Sequence, residues 1–342
     1  MLAVVKDAPE PGLSFGARVE APTPEPGEAL LRPLFNGVCG TDLHIEAWEE
    51  PYHDLGEYLP TVLGHEVLAE VLDAKGFSPG ERVVALSVHG CGCCELCVSG
   101  RAQLCPYARG ESLGMARDGG LAELMTIPEE RLLGLPAGIP DTVAALCEPF
   151  ATAVRAAQSV AQNSPRRVVV LGPGTIGLMI AAVAALSRPD RLLVVGTASD
   201  TERLELAREL GLETLIPGDE AARDIRERIG GAADVVFEAA GSVQALKTGA
   251  DALSPGGEII VVGLQSEPLS MPSGTLVRWE IGLRGSYAAG QGDWRLALRL
   301  ISGGEVDLSP LVGPVFDLSD ARAAFRATEG GVLGRALVRC SS

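Results

Sequence analysis

Three short stretches of this 342-residue chain carry side chains that ligate soft or borderline metals. In Cys39-Gly-Thr41-Asp-Leu-His44 a thiol is followed by a hydroxyl at +2 and an imidazole at +5. The second stretch is Gly64-His65-Glu66, and the third is Cys147-Glu148-Pro149. A thiolate, an imidazole and one carboxylate leave a fourth position open on tetrahedral zinc, which is the catalytic arrangement. Cys39, His65 and one of the two carboxylates, Glu66 or Glu148, fit that type. Zinc so held acts as a Lewis acid and lowers the pKa of a bound hydroxyl, so that an alkoxide can expel hydride at neutral pH. Each residue alone has a plainer reading: a lone Cys is commonly a small buried hydrophobe, a lone His a satisfied core residue, and a lone Glu a surface charge. With only four histidines in the chain, two falling in these motifs argue for a joint site. Cys147 is expected to be an unliganded thiol.

Cys91, Cys94, Cys97 and Cys105 form a Cys-x2-Cys-x2-Cys-x7-Cys array, which can close a four-thiolate, structural zinc site. Cys93 is out of register with it and is left as a surface thiol or a competing ligand. Glu95, sparse basic neighbours and a formal charge of −17 oppose a nucleic-acid zinc ribbon.

Further on, the strand-like run 166–171, apolar from Val168, passes into Gly172-Pro173-Gly174-Thr175-Ile176-Gly177 and then a helix-compatible apolar stretch. Strand, glycine turn and helix together are the context of a dinucleotide loop, whose helix amides bind phosphate. The next strand ends without an acid at its tip. Gly196, Thr197, Ser199 and Arg203 follow, a set suited to a 2'-phosphate, so NADP(H) is expected over NAD(H). The rival reading has Asp200 holding an NAD ribose.

The Cys39 box, Gly64-His65-Glu66, the four-cysteine array and the Gly172 loop occur in an order that resembles the zinc-dependent medium-chain dehydrogenase/reductase family, over essentially the whole chain. The resemblance implies that Cys39 and His65 bind catalytic zinc, with Glu66 and Glu148 as the remaining carboxylates and their division of labour open. It implies that Thr41 relays the substrate proton towards His44 through the cofactor ribose. It further implies that Gly241, Gly263, Leu264, Ser286 and Tyr287 flank the nicotinamide half. The Glu66 and Glu148 pattern resembles the polyol and sugar branch, and the polar stretch 48–54 offers hydroxyl partners. An aliphatic alcohol or threonine is the alternative substrate. A zinc-free quinone or enoyl reductase is disfavoured by the metal ligands, and a zinc or redox sensor is a further rival. A homodimer or homotetramer is implied by the family.

The elements that must position these residues fall into two textures. Residues 1–149 read as short strands at 2–5, 29–35, 62–71 and 82–86 broken by Gly and Pro, the pattern of a GroES-like antiparallel β-barrel holding both zinc sites. Residues 150–285 alternate strands at 168–171, 192–195, 214–216, 235–237, 259–262 and 281–284 with helices such as 201–210 and 242–253, predicting a Rossmann doubly wound parallel sheet. Residues 286–342 return to the first domain, with a helix at 294–301 and a strand at 335–338. Hydrophobic residues at 46% and charged residues at 21% suit a globular protein. The acidic balance argues against nucleic-acid and anionic membrane partners. No apolar leader core or membrane-spanning stretch is evident, so a cytoplasmic location is expected.

Overall fold

A computed structural model describes residues 1–161, 163–265, 267–268 and 273–341. The chain divides into two compact units, Met1–Ala151 with Ala289–Ser342, and Thr152–Ala288.

The first unit is built on a sheet that runs Val312–Asp317, Arg335–Arg339, Glu28–Gly37, Glu66–Asp73, Arg82–Ala85, Leu132–Gly134, with Met125–Pro128 also paired to Glu28–Gly37. Its pairings are antiparallel except that between Val312–Asp317 and Arg335–Arg339. A smaller antiparallel sheet joins Ser14–Arg18, Leu2–Lys6 and Thr61–Val62. Alternating apolar positions of Glu28–Gly37 and Glu66–Asp73 bury Leu31, Val67, Ala69 and Val71 with Val83, Met125 and Ile127. Burying one face of each strand in this way fixes its register.

The expected single strand 62–71 is two strands in different sheets. Thr61–Val62 pairs with Leu2–Lys6, whereas Glu66–Asp73 pairs with Glu28–Gly37. The chain changes sheets at Gly64, whose φ of +100° is hostile to side chains and whose hypothetical Cβ would lie 2.6 Å from Asn36 Oδ1. His65 therefore sits at the crossover, off either ladder.

The second unit is a six-stranded parallel sheet in the order Glu213–Leu215, Arg191–Val195, Arg167–Leu171, Ala233–Glu238, Leu253–Val261, Gly282–Gly285. Strands covered on both faces read as continuous apolar runs, and Val168–Val170 is accordingly fully or almost fully buried. Helices return the chain between strands. Ala221–Ile229, for example, turns Ile225 and Ile229 inwards at i,i+4 spacing and ends at Gly230 with φ of +70°. Strand order reverses between Arg167–Leu171 and Ala233–Glu238, the place where open α/β sheets bind ligands.

Candidate active site

Cys39 follows the Glu28–Gly37 strand and opens the helix Gly40–Ala47. Asp42, in the first turn of that helix, accepts the Cys39 backbone N–H at 2.9 Å and is fully buried. Its other oxygen lies 3.6 Å from His65 Nδ1, so one carboxylate orients both the cysteine backbone and the imidazole. On the far side of the ring, His65 Nε2 is 3.2 Å from Cys39 Sγ. Ligand atoms of Cys39, Asp42 and His65 lie within 4.8 Å of one another, as do those of His65, Glu66 and Glu148. Glu148 comes from the first turn of the helix Cys147–Ala161 and accepts the Ser87 hydroxyl at 2.7 Å. The Ser87 carbonyl, in turn, accepts a hydrogen bond from the buried Arg131 guanidinium at 3.1 Å.

Glu66 is 1% exposed and faces Arg335 Nε across 3.3 Å. Gly37 stands opposite it on the neighbouring strand, and a Cβ there would come within 1.9 Å of Glu66 Oε2. Asp42 Oδ1, His65 Nδ1, Glu66 Oε2 and Arg335 Nε are all buried without a hydrogen bond. They face one another as ion pairs, His65 with Asp42 and Glu66 with Arg335, and the gathered thiol, imidazole and carboxylates fit a cation. Burial pushes the Cys39 thiol up, and also pushes the Glu66 carboxyl up to about 7 against the pull of Arg335. Burial would lower His65, but Cys39 and Asp42 outweigh it and hold the imidazolium well above its ordinary range.

Thr41 and His44 lie on the helix that Cys39 opens. His44 Nδ1 is 2.8 Å from Glu49 Oε2, and its ring stacks on Tyr52 at 6.1 Å. Much of the polar stretch 48–54 is committed internally. Asp54 accepts two bonds from Arg109, at 2.6 and 2.8 Å, Tyr52 is buried, and His53 bonds the Trp48 carbonyl. Cys147 is buried, and burial pushes its thiol up to about 12, which suits an unliganded group.

Cys91, Cys94, Cys97 and Cys105 also converge within 4.8 Å. Backbone amides of Cys93 and Cys94 hold the Cys91 thiol down at about 6, and Cys105 Sγ accepts the Cys91 amide at 3.4 Å. Amides aimed at sulfur stabilise thiolates, so the lobe fits a closed four-sulfur metal site. Cys93 is exposed, and its Sγ donates to Cys91 Sγ at 3.6 Å.

In the second unit Gly172, with φ of +99°, has no room for a Cβ, which would meet Ala240 N at 2.7 Å. A Cβ on Gly177 would lie 2.0 Å from the Gly172 carbonyl, whereas one on Gly174 would meet nothing within 4 Å. Gly174 opens the helix Thr175–Ala185, so open space lies over its free amides. That combination fits a pyrophosphate. At the next strand end, Thr197 donates its amide and hydroxyl to Asp200 at 2.9 and 2.8 Å, with Ser199 Oγ 2.8 Å from Thr197 Oγ1. Arg203 pairs with Asp200 at 3.2 Å. Burial works to raise the Asp200 carboxyl, but Thr197 and Arg203 outweigh it and hold it below its usual range. Gly241 and Gly263 abut, since a Cβ on Gly263 would fall 2.3 Å from Gly241 N. Leu264 and Tyr287 are exposed, while Ser286 Oγ is buried without a hydrogen bond.

Four residues were given no role from the sequence: Asp42, inside the Cys39 motif, Ser87, Arg335, and Glu238, whose carboxylate accepts the Ala240 amide at 3.0 Å. A charge at the end of an otherwise apolar strand, as in Arg335-Ala-Leu-Val and Val-Val-Phe-Glu238, was the available signal for two of them.

Residues 25–137 match the alcohol dehydrogenase GroES-like domain and residues 175–303 the zinc-binding dehydrogenase domain. The chain belongs to the zinc-dependent medium-chain dehydrogenase family, and is a zinc-dependent oxidoreductase that uses a nicotinamide cofactor. It is 34% identical to a sorbitol dehydrogenase of Halalkalibacterium halodurans over 344 residues, covering 97% of each chain. It is 32% identical to an L-threonine 3-dehydrogenase of Streptomyces avermitilis over 351 residues, covering 99% of each. Among solved structures, an alcohol dehydrogenase from E. coli CFT073 complexed with NADH superposes with a TM-score of 0.88 at 25% identity, covering 99% of each chain. Among the described residues, no helix is long and apolar enough to cross a membrane.

Proposed function

We propose that this enzyme oxidises a secondary alcohol, a polyol or sugar, at a zinc ion held by Cys39 and His65 with carboxylates from Glu66 and Glu148. The observation that carries this reading is the 3.2 Å approach of Cys39 Sγ to buried His65 Nε2, with both glutamates gathered about the same histidine. Bound zinc would supply Lewis acidity, favouring the alkoxide that yields hydride to the nicotinamide. Asp42 fixes the imidazole's orientation through Nδ1, and Ser87 and Arg335 hold the two glutamates. Thr41 and His44 take the hydroxyl proton outward, with Glu49 Oε2, 2.8 Å from His44 Nδ1, orienting the ring. The likeness to a sorbitol dehydrogenase supports the polyol over threonine, and the internal commitments of Glu49, His53 and Asp54 leave Glu50 as the carboxylate of that segment for substrate. The four-cysteine lobe is proposed to hold a second, structural zinc.

Gly172, Pro173, Gly174, Thr175, Ile176 and Gly177 would take the pyrophosphate, and Gly241, Gly263, Leu264, Ser286 and Tyr287 the nicotinamide half. NADP(H) is the proposed cofactor, because no carboxylate ends the Arg191–Val195 strand and Asp200 is occupied by Thr197 and Arg203. A 2'-phosphate would replace Asp200 as the partner of Thr197 and Arg203, with Ser199 beside Thr197 as a further hydroxyl donor. The edge strand Gly282–Gly285, with exposed Leu283, Val277 and Trp279 nearby, supports a homodimer or homotetramer. Eight free cysteines suit a reducing, cytoplasmic setting.

A cofactor-coupled screen of polyols, sugars, threonine and simple alcohols with both nicotinamides tests these points. Turnover confined to unbranched primary alcohols would overturn the polyol reading. A higher kcat/KM with NAD(H) would overturn the cofactor preference.

A further inference from the structure

Glu238 ends the Ala233–Glu238 strand beside the reversal of strand order, and it is fully buried. Its Oε1 accepts the Ala240 and Ser242 amides at 3.0 and 3.3 Å, and its Oε2 accepts the Gln265 side-chain amide at 3.4 Å. Its own carbonyl takes the Val262 and Gly263 amides at 2.8 and 3.0 Å. One residue thus bonds two successive turns, 239–242 and 263–265. Those turns touch so closely that a Cβ on Gly241 would lie 2.6 Å from the Leu264 carbonyl, and one on Gly263 2.9 Å from Glu238 Oε2. A buried carboxylate costs desolvation that an apolar side chain would not, and here three N–H groups converge to offset it.

We infer that Glu238 is a positioning residue for the cofactor, a clamp whose carboxylate locks the two turns into the single surface that the nicotinamide half rests against. The inference rests on the proposed role of Gly241, Gly263 and Leu264. Ligands of such sheets lie outside the carboxyl ends of the strands at the reversal, where these turns are. A residue serving only the fold would bond its own turn; Glu238 spans to the next one through Gln265.

The test uses full-length Glu238→Ala, Glu238→Gln and Gln265→Ala, with cofactor affinity from NADH and NADPH fluorescence titration, kcat and KM, and amide hydrogen exchange of 239–242 and 263–265. Glu238→Ala is expected to raise cofactor Kd and KM about tenfold, equal to about 1.4 kcal/mol, with kcat little changed. Glu238→Gln keeps the Oε1 acceptor and restores most of the affinity. Gln265→Ala, which trims a half-buried side chain and leaves the strand untouched, gives a smaller rise in KM. Wild-type affinity in both alanine variants, or equal damage from Glu238→Gln and Glu238→Ala, overturns the clamp. If cofactor protects neither turn of the wild-type protein from exchange, the nicotinamide assignment fails and the clamp's purpose with it. Protection in the wild type with unaltered binding in the variants overturns the clamp alone.

Discussion

Gly37→Ala is a one-carbon probe of the proposed catalytic pocket. The new Cβ would sit 1.9 Å from Glu66 Oε2, 3.0 Å from its Cδ and 3.2 Å from its Cβ. The carboxylate cannot swing into water, because Glu66 is 1% exposed, and moving it lengthens the 3.3 Å pairing with Arg335. Overpacking of this kind costs about 1–3 kcal/mol. Backbone preference works the other way, since alanine in a strand gains roughly 0.5–1 kcal/mol over glycine. Glu66→Ala would cost about 3–5 kcal/mol by stranding the buried Arg335 charge. It would also vacate the space that the added methyl needs. In the double variant, Gly37→Ala should therefore be neutral or slightly stabilising, a coupling of about 1–3 kcal/mol. Denaturant unfolding of the four proteins, each with its zinc content measured, gives the cycle. Coupling below about 0.5 kcal/mol, the additivity expected of independent sites, would refute the idea that Gly37 exists to seat the Glu66 carboxylate.

Cys39→Ser should leave one zinc per chain where the wild type is expected to hold two, whereas Cys93→Ser should keep both; metal analysis of purified protein reads this directly. In the glycine loop, Gly177→Ala should destabilise the second unit by about 1–3 kcal/mol, because its Cβ meets the Gly172 carbonyl at 2.0 Å. Gly174→Ala should leave the melting temperature unchanged and weaken only cofactor binding, since its Cβ enters open space. Metal loading should fall as pH falls: Cys39 and His65 both bind protons more tightly than usual in the empty pocket and must release them to zinc, so acid favours the metal-free state. Zinc affinity that does not change between about pH 8 and about pH 6 would contradict that sign.

Continuous apolar runs such as Val-Val-Val-Leu171 and Leu-Leu-Val-Val195 announce strands buried on both faces, so the parallel sheet was legible and its boundaries differ by a residue or two, except that the strand expected at 259–262 already begins at Leu253. Local spacing also announced the cysteine lobe, whose four sulfurs do converge. The break at Gly64 was not legible, because both halves of 62–71 are equally apolar and only tertiary crowding against Asn36 and Leu121 separates them. The Glu66–Arg335 pair and the Ser87–Glu148 bond join residues remote in sequence, which no local pattern encodes. Thr197, Ser199 and Arg203 were legible as polar groups, but their gathering around Asp200 depends on the turn geometry after Val195.

The strand that carries Arg335 lies directly beside Glu28–Gly37, so the sheet behind the pocket is assembled from strands far apart in the sequence. A ribosome delivers the intervening dinucleotide unit as one uninterrupted piece, free to collapse on its own while the earlier strands still wait for their neighbour. Loop closure over such a span is slow, and the waiting strand edge is sticky. Glu66 therefore gains its Arg335 partner only after the residues around 335–339 have emerged.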